Sequence, residues 1–311
     1  MSGVDGLRSL TVVITNWGTP DYTIRAAQAV IAEGVPSNRV VVVDNGSKDD
    51  SYERFRQQLT SCVLVPLEEN IGFGRASNLG ASKVPGDHYL FVNNDAFVHE
   101  PGSAARMLDC LDVPGVGLVV PRLRNTDLTL QPSVVPTHRP GAELVRASGV
   151  SRFLPNRWRP RWSTHWDHGS SREIDAAIGP VMLVRGETWD RLGGFDERIY
   201  MYAEDLDLCW RTRLLGWKIW FCAEAEFVHI GNAAASRAWT SPRRAELVAR
   251  SEAAMIRRHH SNGTAQLTIG LICAGLAGRW VVHSALRNRD AATTLRASIR
   301  GFLGGENIDS H

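Results

Sequence analysis

The fold of this chain is most strongly constrained by short apolar runs that alternate with helical segments over residues 10–120. Leu10 to Thr15 and Val40 to Val43 are β-branched runs of the kind that forms buried strands. The other predicted strands are 62–65, 89–92 and 116–120, and the predicted helices are 20–33, 49–59 and 72–82. This alternation predicts a parallel sheet with helices on both faces. Ligands of such sheets bind beyond the carboxyl ends of the strands.

The rest of the chain is less regular. Residues 132–172 are rich in Pro, Arg, Trp and His and show no period, which predicts a long loop. Its part from Arg152 to Arg172 could face a sugar, a phosphate or a lipid headgroup, or it could be a solvated loop with tryptophans in the core. Regular structure is predicted again from Ile174. We expect an α/β domain over 1–235, with halves at 1–125 and 126–235, and a helical, basic region over 236–311.

Composition excludes several classes of protein. A hydrophobic share of 43% and a charged share of 22% are ordinary for a soluble globular protein. A formal charge of +2 argues against nucleic acid as the main partner. The 5 cysteines show no zinc or CxxC spacing, which favours free thiols in a reducing cytosol. The N-terminus lacks the layout of a signal peptide, and the apolar segment Leu267 to Ala277 is too short to span a membrane.

Polar residues follow three of the predicted strands. Asp44 ends the second strand, where an acid can hold the ribose of a nucleotide, although the turn 16–20 has no GxGxxG motif. Asp95 follows the fourth strand within Asn93-Asn94-Asp95, where a carboxylate can hold Mg²⁺ or Mn²⁺ together with a ligand diphosphate. Asn and Asp also favour simple turns, so the residues alone leave both explanations open.

Two further segments could contact anions or protons. The glycine turn from Asn70 to Asn78 opens a helix, and its amides and Arg75 could face an anion, with an ordinary turn as the alternative. Glu204-Asp205-Leu206-Asp207 is predicted to open another helix, with Glu204 and Asp207 on one face and Asp205 elsewhere. Such acids stabilise a helix N-terminus, or one of them could take a proton from a hydroxyl. His229 is either structural or a metal ligand.

Taken in order, these segments resemble glycosyltransferase family 2, and within it the rhamnosyltransferase-like, non-processive branch. The matching segments are LTVVITNWG, VVVVDNGSKDD, NIGFGRASNLG, YLFVNNDAFVHEPG, GVGLVVPRL and the stretch from Gly179 to Gly231 that contains GGFDE and EDLDLCWR. The resemblance implies the GT-A fold, a single Rossmann-like and mostly parallel sheet with helices on both faces, here with a helical C-terminal extension. It makes 1–125 the nucleotide-sugar-binding half and 126–235 the acceptor-binding half.

The resemblance also implies roles for individual residues. The donor nucleotide would be contacted by Thr15, Asn16, Asp44, Asn70, Gly72, Arg75, Asn78 and Asn94. Asp95 would bind the metal and His229 would complete the site, while Asn93 replaces an acid of the family's DxD motif and lowers the charge there. Asp205 would be the catalytic base, with Glu204 beside it. Trp210 and Asp207 would lie on the acceptor side.

The function implied by the resemblance is an inverting, metal-dependent transfer of one sugar, with L-rhamnose expected. A dTDP- or UDP-sugar would be the donor, Mg²⁺ or Mn²⁺ the cofactor, and a cell-envelope glycan or polyprenyl-linked lipid the acceptor. The QxxRW motif of processive members is absent after His229, which favours a single transfer. A nucleotide-sugar-binding scaffold without turnover is the alternative.

The C-terminal helices, with apolar residues among scattered arginines, suit a membrane surface, the catalytic domain or a homodimer partner. We expect a cytoplasmic protein, peripheral at the inner face of the plasma membrane.

Overall fold

The structure is a computed structural model that describes residues 3–148, 153–155, 158, 166–231 and 241–304. The strands are β1 Leu10–Asn16, β2 Val40–Asp44, β3 Val63–Pro66, β4 His88–Asn93, β5 Ala96–Val98, β6 Val116–Arg124, β7 Leu130–Gln131, β8 Val134–Val135, β9 Arg172–Ile174, β10 Ala176–Ala177, β11 Val181–Arg185 and β12 Lys218–His229. The helices are α1 Gly3–Gly6, α2 Pro20–Ala32, α3 Ser51–Gln58, α4 Phe73–Lys83, α5 Ser103–Asp109, α6 Pro140–Ser148, α7 Gly186–Leu192, α8 Glu204–Leu214, α9 Ser241–His259, α10 Asn262–Ala285 and α11 Arg289–Leu303.

Within the described residues, a ten-stranded sheet forms the centre of the molecule, with its main path in the order β3-β2-β1-β4-β11-β6-β12-β5. β1, β2, β3 and β4 are parallel, and β6 is parallel to β12. β11 lies antiparallel between β4 and β6. The predicted α/β fold with a mostly parallel sheet is therefore confirmed. The register pairs Asn16 with Asp44 and Thr15 with Asn93, which brings the polar strand ends to one edge.

The strands are apolar at nearly every position because both faces of the sheet are covered. On one face, Val13 and Val41 pack in a core that includes Ala76 of α4 and Leu208 of α8. On the other face, the alternate strand residues, such as Val12, pack with side chains of α2 and α3. Helices therefore cover both faces of the sheet, as predicted from the alternation of strands and helices in the sequence.

The predicted loop at 132–172 contains regular structure, which corrects that prediction. β8 pairs with β10, and α6 begins at Pro140, a residue suited to the first turn of a helix. The Nδ1 atom of His138 lies 2.8 Å from a carboxylate oxygen of the buried Glu143. The segment is polar and carries no hydrophobic period, so its composition did not predict the helix.

The arginine- and tryptophan-rich stretch is only partly described. Trp166 is buried, its ring 4.9 Å from that of Phe221, and the guanidinium of Arg172 lies 4.0 Å above it. Trp158 is exposed. Trp162 and the arginines at 152, 157, 159 and 161 lie outside the described residues. The described part therefore fits a loop that is anchored in the core by one tryptophan.

The C-terminal region is helical, as predicted, and α9 packs into the core of the sheet domain through Ala249, Ala253 and Ile256. The predicted division at 235 falls in 232–240, outside the described residues, and stays a prediction. α10 is long and apolar enough to cross a membrane by length and composition, and only 22% of its most apolar 18-residue stretch is buried. The helix extends beyond the apolar segment 267–277, because it continues past Arg279 to Ala285.

Candidate active site

A cleft of about 380 Å³ opens at the edge where the parallel strands end. Its polar lining residues form four groups. The ends of β1 and β2 and the loop before α4 supply Thr15, Asn45 and Asn70, and the ends of β4 and β12 supply Asn93, Asn94, Asp95 and His229. The start of α8 supplies Tyr202, Glu204 and Asp205, and α9 supplies Arg244 and Glu252. The cleft therefore contains most of the polar groups that the sequence places at strand ends, together with the acidic start of α8. Arg244, Val248 and Glu252 of α9 complete it.

Asn45 and Asn70 form one side of the cleft through mutual hydrogen bonds. Asn45 Nδ2 donates to Asn70 Oδ1 over 3.0 Å, and Asn45 Oδ1 accepts from the amide of Ile71 over 3.0 Å. Asn70 Oδ1 also accepts from the amide of Gly72 over 2.9 Å. The loop before α4 is thus fixed to the end of β2. Asn45 was not predicted as a site residue. Its position directly after Asp44, at the end of a strand, could have indicated it.

Gly72 is required by a close approach of two segments. Its φ is +90°, in the left-handed region, and a Cβ there would lie 2.2 Å from the carbonyl oxygen of Tyr200. The loop at Asn70 is therefore pressed against the segment that leads into α8. Gly72 shapes the cleft through its backbone.

Asn16 and Asp44 are buried behind the cleft and do not line it. Asn16 Nδ2 donates to Asp44 Oδ1 over 3.1 Å, and Asn16 Oδ1 accepts from Thr23 Oγ1 over 2.7 Å. Asp44 also accepts from the hydroxyl of Ser47. Both side chains stabilise the strand ends, and their predicted contact with a nucleotide stays a prediction.

Arg75 and Asn78 also lie outside the cleft lining. Arg75 is exposed, and its Nε donates to the carbonyl of Glu197 over 2.7 Å. Asn78 Nδ2 donates to the carbonyl of Phe195 over 2.9 Å, and its Oδ1 accepts from the amide of Phe195 over 2.8 Å. These bonds hold the GGFDE segment against α4. Both residues therefore support the site from behind.

Thr15 and Asn94 do line the cleft. Thr15 Oγ1 lies 3.3 Å from Ser77 Oγ, and Asn94 Nδ2 donates to Thr19 Oγ1. Both have partners within the strand-end cluster, which orients them toward the opening. They remain candidate donor contacts.

Asp95 and His229 come together because β5 pairs with β12. That pairing sets His229 opposite Ala96, and Nε2 of His229 lies 3.3 Å from Oδ1 of Asp95. Nδ1 of His229 lies 2.7 Å from Oε1 of Gln131, whose Nε2 donates to Asn125 Oδ1 over 2.9 Å. This orientation of Gln131 makes Nδ1 of His229 the protonated nitrogen and directs Nε2 at the carboxylate.

The Asp95–His229 pair fits a divalent cation. An imidazole lone pair facing a carboxylate is stabilised when a cation binds between them, and an outer partner such as Gln131 fixes the ligand tautomer. Mg²⁺ and Mn²⁺ sites of this kind use one or two protein ligands and complete their coordination with phosphate oxygens. Gln131 was not predicted from the sequence, because nothing in its segment LQPS indicates a contact with His229, 98 residues later.

Another potential metal cluster, His99, Glu100 and Glu226, occurs among the described residues outside the cleft. The carboxylate of Glu226 is paired with Arg122 at 2.5 Å and with Arg124 at 2.7 Å. These arginines, Arg124 first, lower the pKa of Glu226. Their positive charge opposes a cation there, so we assign the candidate metal site to Asp95 and His229.

The start of α8 is set by an unusual backbone turn. Tyr202 and Ala203 both have left-handed φ values, 66° and 65°, which are uncommon for residues with side chains. The turn directs the N-terminal end of α8 at the cleft. Oδ2 of Asp205 accepts from the amide of Gly179 over 2.7 Å, and Oδ1 accepts from the amide of Leu206 over 2.8 Å. Asp205 is thereby held in one orientation.

Glu204 and Asp205 differ in how readily they lose a proton. Burial raises the pKa of Asp205, while its two amide hydrogen bonds oppose that shift. Burial and then the charge of Asp205 raise the pKa of Glu204 to about 8. Within the described residues, Oε2 of Glu204 is buried without a hydrogen-bond partner. Glu204 therefore keeps its proton to a higher pH than Asp205 does.

Asp207 and Trp210 lie outside the cleft lining, and their predicted place on the acceptor side stays a prediction. Asp207 is fully buried, 2.6 Å from Arg211 Nε and 2.6 Å from His259 Nε2. Trp210 stacks on His259 at 5.5 Å. The cleft meets α8 at its N-terminal end, so Asp205, which was predicted to point elsewhere, lines it together with Glu204.

Comparisons with known proteins identify the family of the chain. The family model "Glycosyl transferase family 2" matches residues 11–168. The chain is 32% identical over 206 residues to the N-acetylglucosaminyl-diphospho-decaprenol L-rhamnosyltransferase of Mycobacterium tuberculosis, an alignment that covers 61% of this chain and 66% of that relative. It is 37% identical over 60 residues to the rhamnosyltransferase WbbL of Escherichia coli, covering 19% of this chain and 23% of WbbL.

Two solved structures share the fold. The mannosyltransferase PcManGT of Pyrobaculum calidifontis, in complex with GDP-Man and Mn²⁺, has a TM-score of 0.60 at 18% identity and covers 95% of this chain and 87% of that one. TarS 1-349 of S. aureus has a TM-score of 0.53 at 15% identity, and the match covers 94% of this chain and 81% of that one. At these identities the likeness shows the GT-A fold.

Proposed function

Because the chain belongs to glycosyltransferase family 2, we propose that it moves one sugar from a nucleoside-diphosphate sugar to a hydroxyl of an acceptor, with inversion at the anomeric carbon. The observation that carries this proposal is a single cleft lined by an oriented carboxylate, Asp205, and by the Asp95–His229 pair. The reaction needs a base that accepts the proton of the acceptor hydroxyl and a site that binds the diphosphate of the donor.

In the proposed reaction, Asp205 accepts the proton of the acceptor hydroxyl. The hydroxyl oxygen then bonds to the anomeric carbon as the bond from that carbon to the nucleoside diphosphate breaks. The amides of Gly179 and Leu206 orient the carboxylate of Asp205. Glu204 retains its own proton, which avoids a second negative charge beside the base.

Asp95 and His229 would hold Mg²⁺ or Mn²⁺, which when bound supplies positive charge that stabilises the departing diphosphate. Asn45, Asn70, Thr15 and Asn94 line the same cleft and are the proposed contacts of the donor. Asn93 also lines it, and its neutral amide leaves the site less negative than a pair of acids would. We therefore expect metal binding to depend strongly on the diphosphate of the donor.

For the sugar and the acceptor, we propose L-rhamnose and a polyprenyl-diphosphate-linked or related cell-envelope glycan. The support is the activity of the mycobacterial relative, of which the alignment covers 66%. The thiols described, such as Cys209 and Cys222, are free, which agrees with a location on the cytoplasmic side of the plasma membrane.

The test of the donor site is calorimetric titration with dTDP-rhamnose, UDP-sugars and GDP-sugars, in Mn²⁺ and then in EDTA. We expect one donor class to bind, and to bind more weakly in EDTA. The Asp95→Ala variant should lose that metal dependence. Equal loss of binding by Asp95→Ala in EDTA would give Asp95 a structural role. Donor binding without any nucleoside-diphosphate release would favour a nucleotide-sugar-binding scaffold.

A further inference from the structure

A second groove lies beside the catalytic cleft. It has a volume of about 280 Å³ and lies between α6, α9, α10 and α11. Arg244 and Val248 of α9 line both the cleft and the groove, so the two are adjacent. The apolar walls of the groove include Ile272 and Leu276 of α10 and Phe302 of α11. The groove thus offers apolar surface next to the cleft.

The guanidinium of Arg244 lies where the cleft and the groove adjoin. Within the described residues, Arg244 has no ion pair or side-chain hydrogen bond, whereas Arg243 beside it lies 3.9 Å from Glu246. A second guanidinium, that of Arg146, lines the groove and is paired with Glu143 at 2.6 Å. A half-buried guanidinium of this kind favours an anion, and phosphate oxygens suit its geometry.

α10 also carries apolar side chains outside the groove. Besides Ile272 and Leu276, which line the groove, it exposes Val281 and Val282 to more than half of their surface. Exposed apolar patches of this kind mark partner or membrane contacts.

We propose that the groove binds the prenyl diphosphate of the acceptor, with Arg244 on the diphosphate and the apolar walls on the first isoprene units. This inference rests on the proposed function, because it places the acceptor so that its sugar hydroxyl points into the cleft toward Asp205. The donor diphosphate is expected at Asp95 and His229. A nucleotide or a sugar would gain nothing from the apolar walls beside Arg244, so the acceptor is the occupant that matches both charge and apolarity.

The first arm of the test is binding of farnesyl diphosphate to the full chain, measured by calorimetry without detergent. Arg244→Gln should weaken this binding at least ~10-fold, since a charge-assisted contact to phosphate is lost. Arg243→Gln, a neighbour on the same helix, should leave it unchanged. Donor binding should stay unchanged in both variants. Weakened donor binding with unchanged farnesyl diphosphate binding would assign Arg244 to the donor and overturn the inference.

The second arm tests the apolar walls. Leu276→Asp should weaken farnesyl diphosphate binding while leaving the weak binding of inorganic pyrophosphate unchanged. Leu267→Asp is the matched control, because Leu267 is exposed on the same helix outside the groove lining. Circular dichroism should show both variants folded. Equal binding of pyrophosphate and farnesyl diphosphate by the wild type would overturn the inference. Because the readout is binding, it is independent of whether sugar transfer occurs.

Discussion

At the scale of single residues, the proposed base and its neighbour illustrate how surroundings separate two adjacent acids. Asp205 has both oxygens on backbone amides, whereas one oxygen of Glu204 is buried without a partner among the described residues. Hydrogen bonds stabilise the charged form and burial destabilises it. The pair can therefore hold one proton at neutral pH, which leaves Asp205 free to act as a base.

The raised pKa of Glu204 predicts a stability effect. The folded protein holds a proton on Glu204 up to a pKa of about 8, while an ordinary Glu releases it near 4.5, so folding becomes less favourable as pH rises between these values. We expect Glu204→Gln to be more stable than the wild type at pH 8 by roughly 1–3 kcal/mol, and the difference to shrink toward pH 5. Urea unfolding at both pH values measures this.

The control is Glu53→Gln, which removes an exposed carboxylate from α3. It should change stability little at both pH values, because it removes no buried group. The same pH dependence in the wild type and in Glu204→Gln would contradict the proton assignment.

The residue types at the site could be predicted from the sequence better than their orientations. Asp95, Asp205 and His229 follow strands or open a helix, and all three line the cleft. Asn16 and Asn78 come from segments that also predicted a site, yet their side chains donate hydrogen bonds to neighbouring groups of the protein. Whether a strand-end amide faces the ligand or the backbone depends on segments far away in the chain, which a local pattern does not encode.

At the scale of elements, two glycines with left-handed φ values offer a matched test of the contact between the loop before α4 and the segment before α8. Gly72→Ala would set a Cβ 2.2 Å from the carbonyl oxygen of Tyr200, whereas a Cβ at Gly216 meets no atom within 4 Å. Gly216→Ala should cost about 1 kcal/mol of stability, the cost of a side chain in left-handed backbone.

Gly72→Ala should be more destabilising than Gly216→Ala and should also weaken donor binding, because the loop that carries Asn70 must shift away from Tyr200. Urea unfolding and donor calorimetry on the two variants measure both effects. Equal loss of stability in the two variants, with donor binding intact, would show that the loop tolerates the displacement.

The fold of the sheet domain was predictable because its strands are continuous β-branched runs buried on both faces. α6 was not, since Glu143 is stabilised by His138 and Arg146 in a polar segment that resembles a loop. The contribution of α9 to the cleft was also unpredictable. Arg244 and Glu252 belong to an arginine-rich helix without a motif, and only tertiary packing brings them to the cleft.

At the scale of the whole molecule, the exposed apolar face of α10 predicts attachment to a membrane surface. The triple variant Val281→Gln, Val282→Gln, Leu286→Gln removes side chains that are more than half exposed, so it should fold normally. Each apolar group that leaves a bilayer costs free energy in proportion to its area. We expect co-sedimentation with phosphatidylglycerol vesicles to fall at least ~5-fold.

The control substitutes Val4 and Leu214, which are exposed elsewhere, with Gln. Vesicle binding should be unaffected in this double variant. Unchanged vesicle binding in the α10 triple variant would contradict membrane attachment through that face. A dimer of the wild type in light scattering, dissociated by the same triple variant, would instead make the face a homodimer contact.

The proposed activity depends most on Asp205 acting as the base of a single sugar transfer. The decisive measurement is mass-spectrometric detection of product from dTDP-rhamnose and an N-acetylglucosaminyl-diphospho-prenol with Mn²⁺. The wild type and the exposed-surface control Asp190→Asn should add one deoxyhexose per acceptor. Asp205→Asn should be slower by at least ~10²-fold, the contribution expected of a general base, with donor binding changed only a few-fold. Transfer by Asp205→Asn at the wild-type rate would contradict the account.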